Sequence, residues 1–235
     1  MSDWQPKRFW KVAEVVAGPE GHEIHLDGRP VKTPAKASLV VPTDAMARAI
    51  AQEWDAQADK VDPRTMPVTR SANAAIDKVR VQRNEVIDLL AEYGDSDLLC
   101  YRASGPEGLV LKQAAAWDPM LEWAAQTLGV HLAVGQGVMH VAQDPGAVAR
   151  LRSEIAGLDE FALAAAHDLI SLSGSLVLAC AVMREHIAPQ DAWDRSRVDE
   201  DWQISQWGAD DEASAAAEVK RAAFFHAAKF YDLTS

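Results

Sequence analysis

Asp95 and Asp97 stand two residues apart in Tyr93-Gly94-Asp95-Ser96-Asp97-Leu98-Leu99. Carboxylates so close can share a cation or divide the acid and base roles of a small metal-dependent hydrolase. They can equally cap helix ends beside Gly94, and capping is the simpler use of the same spacing. His22 and His25 are the closest histidine pair. On a strand, a three-residue separation points them to opposite faces, so they cannot jointly grip one metal, and no metal site is expected. Leu172-Ser173-Gly174-Ser175-Leu176 lacks the Gly-x-Ser-x-Gly pattern of a nucleophile elbow. Its small residues suit close helix packing instead. No phosphate-binding glycine motif occurs, so neither a nucleotide nor another cofactor is expected, and no small-molecule substrate. Cys100 and Cys180, far apart in apolar surroundings, read as two buried free thiols.

The most unusual local feature is the stretch from Trp193 to Trp207, which holds Trp193, Trp202 and Trp207. As one helix ended by Gly208, it would place Trp193, Arg197, Glu200, Ile204 and Trp207 on a single face. A carboxylate inside an aromatic stripe must be paired or solvated, and Arg197 lies within one turn of Glu200. Two readings follow. Glu200 and Arg197 form an internal ion pair, or the face is a contact surface, since Trp and Arg concentrate at binding hot spots.

The elements that position these residues fall into two kinds. Phe9 to Val16, Glu23-Ile24-His25-Leu26 and Leu39 to Val41 read as strands, with Asp27-Gly28 as a tight hairpin turn. After Pro42, Thr43 or Asp44 can cap a helix whose Met46, Ala49, Ile50 and Trp54 share a face. Beyond the prolines at 63 and 67 helical periodicity dominates. Ile76, Val79, Val86 and Leu90 form one stripe, and Trp117, Met120, Leu121, Ala124 and Leu128 another. Asp144-Pro145 caps a further helix with Val148, Leu151 and Ile155 inward and Gly157 at its end. The apolar run Leu169 to Met183 reads as one buried helix, too short and too interrupted to span a bilayer. His131 to Val141 is either a loop or a short hairpin. The expected fold class is therefore α+β: a small N-terminal domain of β-strands with a packed helix, residues 1–70, then a mainly α-helical C-terminal domain, residues 71–235.

A net charge of −12 argues against nucleic acid and anionic lipid as partners, and 49% hydrophobic residues against extended disorder. The N-terminus lacks the apolar core of a signal peptide, which points to the cytoplasm.

In order along the chain come Arg8-Phe9-Trp10-Lys11; Leu26-Asp27-Gly28-Arg29-Pro30-Val31-Lys32-Thr33-Pro34; Glu53-Trp54-Asp55-Ala56-Gln57; Met66-Pro67; and Ala75-Ile76-Asp77. They are followed by Asp97-Leu98-Leu99-Cys100-Tyr101-Arg102, Trp117-Asp118-Pro119, Ser173-Gly174-Ser175-Leu176-Val177-Leu178-Ala179, Trp202-Gln203 and Trp207-Gly208. With these blocks the chain resembles, over nearly its whole length, the ATP synthase F(1)-sector assembly chaperone family that acts on the α subunit. The resemblance implies a protein that is no enzyme and has no cofactor. Such a chaperone binds the free α subunit and covers its subunit-contact surface until the α subunit pairs with the β subunit. It also implies an essential acidic residue in the C-terminal domain, best matched by Glu200 between Asp199 and Asp201. Trp193, Arg197, Trp202, Gln203 and Trp207 complete the expected contact set. Eukaryotic relatives carry a mitochondrial presequence and would act in the matrix, whereas a start close to Arg8-Phe9-Trp10-Lys11 fits a bacterial cytoplasmic relative. Two other functions are the hydrolase using Asp95 and Asp97, and a general chaperone for exposed apolar segments.

Overall fold

The computed structural model describes residues 7–235; residues 1–6, part of the N-terminus that lacks the apolar core of a signal peptide, lie outside them. The described residues form two compact units. One contains the chain up to Arg83 together with Asp159–Ala165 and Lys229–Ser235, and the other contains Asn84–Leu158 and Ala166–Ala228. The α+β class is observed, with the larger sheet in the first unit and mostly helix in the second.

In the first unit, β1 (Ala13–Gly18) and β2 (Gly21–Leu26) pair antiparallel, and β2 also pairs with β3 (Arg29–Pro30) and β4 (Val40–Val41). The β2–β3 turn is the one expected at Asp27-Gly28. Both residues have positive φ, 48° and 76°, which matches the twist of a two-residue hairpin. Alternation buries Ile24 and Leu26 while His25 turns away to Glu23, whose carboxylate lies 2.7 Å from its Nε2. Helix α1 (Asp44–Asp55) starts at Thr43, whose Oγ1 accepts the Met46 N–H at 3.1 Å. Its Met46 and Ile50 are fully buried in a core that also takes in Trp10, Leu39, Phe161 and Phe230.

Gly21 is required where it stands. Its φ is +137°, and a Cβ there would lie 2.5 Å from the Val41 carbonyl oxygen. Neither the backbone conformation nor the β2–β4 approach tolerates a side chain. We expect Gly21→Ala to cost about 2 kcal/mol or more, read as a lower urea midpoint with an unchanged slope.

The polar residues of the N-terminal sequence blocks are spent on joining elements. Glu53 accepts from the Val68 and Thr69 N–H groups at 2.7 and 2.8 Å, which supplies α2 (Pro67–Ala74) with the cap that Met66 cannot provide. Gln57 ties its own helix end to Asp62 and Thr65. Asp77 receives the Thr33 hydroxyl at 2.6 Å and the Ala35 N–H at 3.0 Å. Arg8 donates to the carbonyls of Trp10, Asp55 and Gln57.

The second unit takes in α3 (Arg83–Asp95), β5 (Tyr101–Arg102), α4 (Glu107–Trp123), β6 (Gly135–Gln136) and α5 (Pro145–Ala156). Then come α6 (Glu160–Ser173), α7 (Leu176–Met183), α8 (Pro189–Ser196), α9 (Val198–Trp207) and α10 (Asp211–Asp232). Helices α6 and α10 each have residues in both units, as does α3 through Arg83. Asp144 caps α5 as expected, accepting the Ala147 N–H at 2.9 Å.

The run Leu169 to Met183 is not one helix. Gly174, with φ +71°, ends α6, and Ser175 in extended conformation caps α7 by accepting from the Leu178 N–H at 3.0 Å. A left-handed glycine followed by a serine cap is a stop and a start in consecutive residues. Residues 131–141 do not fold into a hairpin of their own. Their one strand, β6, pairs parallel with β5. Both cysteines are buried free thiols; burial pushes the Cys100 thiol up to about 12 and raises Cys180 too, so neither is nucleophilic at neutral pH.

Candidate functional site

The stretch from Trp193 to Trp207 is two helices rather than one. Arg197, at φ −110° and ψ 9°, breaks the path between α8 and α9. Just before it the Ser196 hydroxyl donates to its own helix at the Trp193 carbonyl, 2.7 Å away. Just after it the first turn of α9 carries Asp199, Glu200 and Asp201, a charge that the helix N-terminus stabilises. The break redirects side chains that an unbroken helix would have aligned.

Trp193 points inward, 6% exposed, with its ring 5.7 Å from that of Phe224. Trp202 is half-buried on α4. A Cβ at Gly108 would come within 2.7 Å of its ring, and the Lys112 ammonium sits 5.3 Å from its centre. Next along α4, buried Gln113 donates to Asp199 at 2.6 Å and accepts the Ala103 N–H at 2.8 Å. Trp117 anchors the end of α8 by donating its indole N–H to the Arg195 carbonyl at 2.8 Å.

The opposite side of α9 faces solvent. Glu200, with a side chain 45% exposed, is paired at 2.7 Å with Arg197, whose guanidinium lies 5.8 Å from the Trp193 ring. Gln203 is exposed, Ile204 is 42% exposed and Trp207 78%. These four recur at three- and four-residue steps, so they form one stripe. From Gln203 to Lys220 every residue except Ala217 is exposed, and between Arg197 and Lys220 the chain has seven acidic side chains and no basic one. Of the predicted set, therefore, Glu200, Gln203 and Trp207 share an accessible face, Arg197 and Trp202 support it, and Trp193 belongs to the core.

Asp210 to Glu212, at the start of α10, are further exposed acids that lie outside the expected contact set. Their signal was present: Asp210 precedes an alanine-rich run and caps it, accepting the Ala213 N–H at 2.7 Å. The support from Gly108, Lys112 and Gln113 has no comparable signal, because their partners are some ninety residues away.

Asp95 and Asp97 do not share a site. Asp95 accepts the Gln143 N–H at 3.1 Å and lies 3.3 Å from His140, whereas Asp97 is fully buried and takes the Ser175 hydroxyl at 3.0 Å and the Val177 N–H at 3.1 Å. Among the described residues no group of three His, Cys, Asp or Glu side chains is placed to hold a metal. Ser173 donates back to the Leu169 carbonyl at 2.6 Å, which closes a helix turn. Asp95 braces a loop, Asp97 and Ser175 cap helices, and Ser173 bonds back within its own helix, which accounts for the acids and serines whose spacing could have done chemistry.

The family model for the ATP12 chaperone protein matches residues 7–125. The chain belongs to the ATP12 chaperone family. The crystal structure of Atp12 from Paracoccus denitrificans is similar over 97% of this chain and 98% of that one, at 46% identity and a TM-score of 0.95. A solved protein of Agrobacterium tumefaciens matches 98% of this chain and 87% of its own at 40% identity and a TM-score of 0.92. The mitochondrial protein atp12 of Schizosaccharomyces pombe is 26% identical over 219 residues, 88% of this chain and 75% of that protein. Within the ATP12 match lie the N-terminal blocks and α4, while α8 and α9 lie beyond it. Among the described residues no helix is long and apolar enough to cross a membrane.

Proposed function

We propose that this protein is an assembly chaperone for the F(1) sector of ATP synthase, which binds the free α subunit and covers its subunit-contact surface until the α subunit pairs with β. Holding, not catalysis, is the activity, and the bacterial cytoplasm is the compartment this reading assigns. Membership of the ATP12 chaperone family supports it. The observation that carries it is the outward stripe of α9, where Trp207 is 78% exposed on the same face as Glu200.

An unassembled subunit exposes apolar surface that invites aggregation, and a helper must cover that surface and later release it. A solvated stripe of Trp, Ile and Gln edged with carboxylates suits this task. The aromatic supplies buried area, while the acids steer and orient a partner patch that carries cations. Arg197 holds Glu200 from the inner side, so the carboxylate is positioned before a partner arrives.

Co-expression with the isolated α subunit followed by size exclusion tests the reading. The expected result is a 1:1 complex that keeps the α subunit soluble, with no complex formed by the assembled hexameric head. An α subunit that stays aggregated, or equal retention of unrelated unfolded chains, would overturn α-subunit recognition.

A further inference from the structure

From Ala124 to Gln143 the chain has no Asp, Glu, Lys or Arg, although 25% of its residues are charged. The second half of this stretch is a braced loop. Tyr101 and Arg102 of β5 pair with Gly135 and Gln136 of β6, and the Gly137 N–H donates to the Arg102 carbonyl at 2.8 Å. Gln143, 7% exposed, acts as a third rail: it accepts the Ala133 N–H at 2.7 Å and donates to the Ala133 carbonyl at 3.0 Å. His140 lies 3.3 Å from both the Tyr101 hydroxyl and the Asp95 carboxylate. The two arms touch, since a Cβ at Gly135 would come within 2.3 Å of Val141.

Between the residues of this brace, the loop presents apolar side chains to water. Val134 is 50% exposed, Met139 78% and Val138 96%. We propose that this tip is a second client-contact point, which lays Val138 and Met139 on an uncharged apolar patch of the unassembled subunit. The inference rests on the chaperone reading and adds a site of different chemistry. The acidic surface of α9 and α10 suits cations, whereas a loop without formal charge has nothing to repay the desolvation of an ion. An apolar, uncharged partner surface is what remains. Methionine adapts to imperfect shapes, and a loop already held in place loses little freedom on binding.

The test is a Val138→Asp, Met139→Asp double variant of the full chain, titrated against immobilised isolated α subunit beside the wild type and a Val138→Ile, Met139→Leu control. Both positions are exposed, so urea midpoints should match across the three proteins. The expected result is an affinity at least about tenfold weaker for the aspartate variant and unchanged for the apolar control. A wild type that binds while the aspartate variant binds equally overturns the tip and leaves the chaperone reading standing. A wild type that fails to bind the α subunit removes both. If the wild type alone elutes as a dimer that the aspartate variant dissociates, a second copy is the occupant and the client assignment is wrong.

Discussion

Asp97→Ala is expected to destabilise the protein by about 3 kcal/mol or more, a large share of the roughly 5–15 kcal/mol that holds a typical domain together. Asp97 is fully buried and accepts from the Leu99 N–H, the Val177 N–H and the Ser175 hydroxyl, each within 3.1 Å. Two of these donors open α7, whose residues Leu176 to Ala181 are buried beyond the reach of water. Alanine removes the shared acceptor and leaves several donors unsatisfied at once, each worth about 1–3 kcal/mol. Asp97→Asn keeps one acceptor oxygen and should lose less.

The same site makes stability pH-dependent. Burial pushes the Asp97 carboxyl up to about 6, against the opposing pull of its hydrogen bonds, from an ordinary value of 3.8. Because the folded value is the higher one, the folded state binds the proton more tightly. This contribution is complete below about pH 3.8 and fades as pH rises through about 6. Urea midpoints of wild type and Asp97→Asn should therefore converge between pH 4 and pH 7, with wild type losing ground. Parallel profiles would show that Asp97 does not titrate in that window.

Much of the fold could be read from local chemistry, and the errors share a cause. Asp144 and Asp27-Gly28 act on residues within four positions of themselves, so their spacing marks them, whereas for α1 the spacing leaves Thr43 and Asp44 open and the structure has Thr43. The two runs that each read as one helix, across Gly174 and across Arg197, keep their hydrophobic period through a break. Ser173-Gly174-Ser175 contains a usable stop signal. Arg197 does not: a non-glycine residue in a helix interior gives no warning, and what fixes the kink is non-local, the hold of Trp117 and Gln113 on Arg195 and Asp199. That kink is what separates Trp193 from Trp207. The composition of the candidate site was therefore legible, while the side of the protein on which each residue falls was not. The family blocks carry a related lesson, since their polar residues Glu53, Gln57 and Asp77 serve as caps and ties between elements that local spacing does not connect.

Glu200→Lys is expected to leave the fold nearly intact and weaken capture of the α subunit about a hundredfold or more. The structural cost is bounded first. The Glu200–Arg197 pair is partly exposed, and such pairs contribute at most about 1 kcal/mol. A lysine in the first turn of α9 opposes the helix dipole by about another 0.3–1 kcal/mol. Together these lower the melting temperature by only a few degrees. The expected binding cost is larger, because reversing a charge at the proposed contact replaces attraction to a partner cation with repulsion, a change of several kcal/mol. Asp199 cannot compensate, since Gln113 holds it against α4. Glu200→Gln, which keeps the shape and drops the charge, should fall between the two, and raising ionic strength should weaken wild type more than Glu200→Gln. The decisive measurement pairs a urea midpoint with a titration against isolated α subunit. A Lys variant that unfolds would assign Glu200 to the internal ion pair. One that stays folded and binds like wild type would move the client surface off α9 altogether.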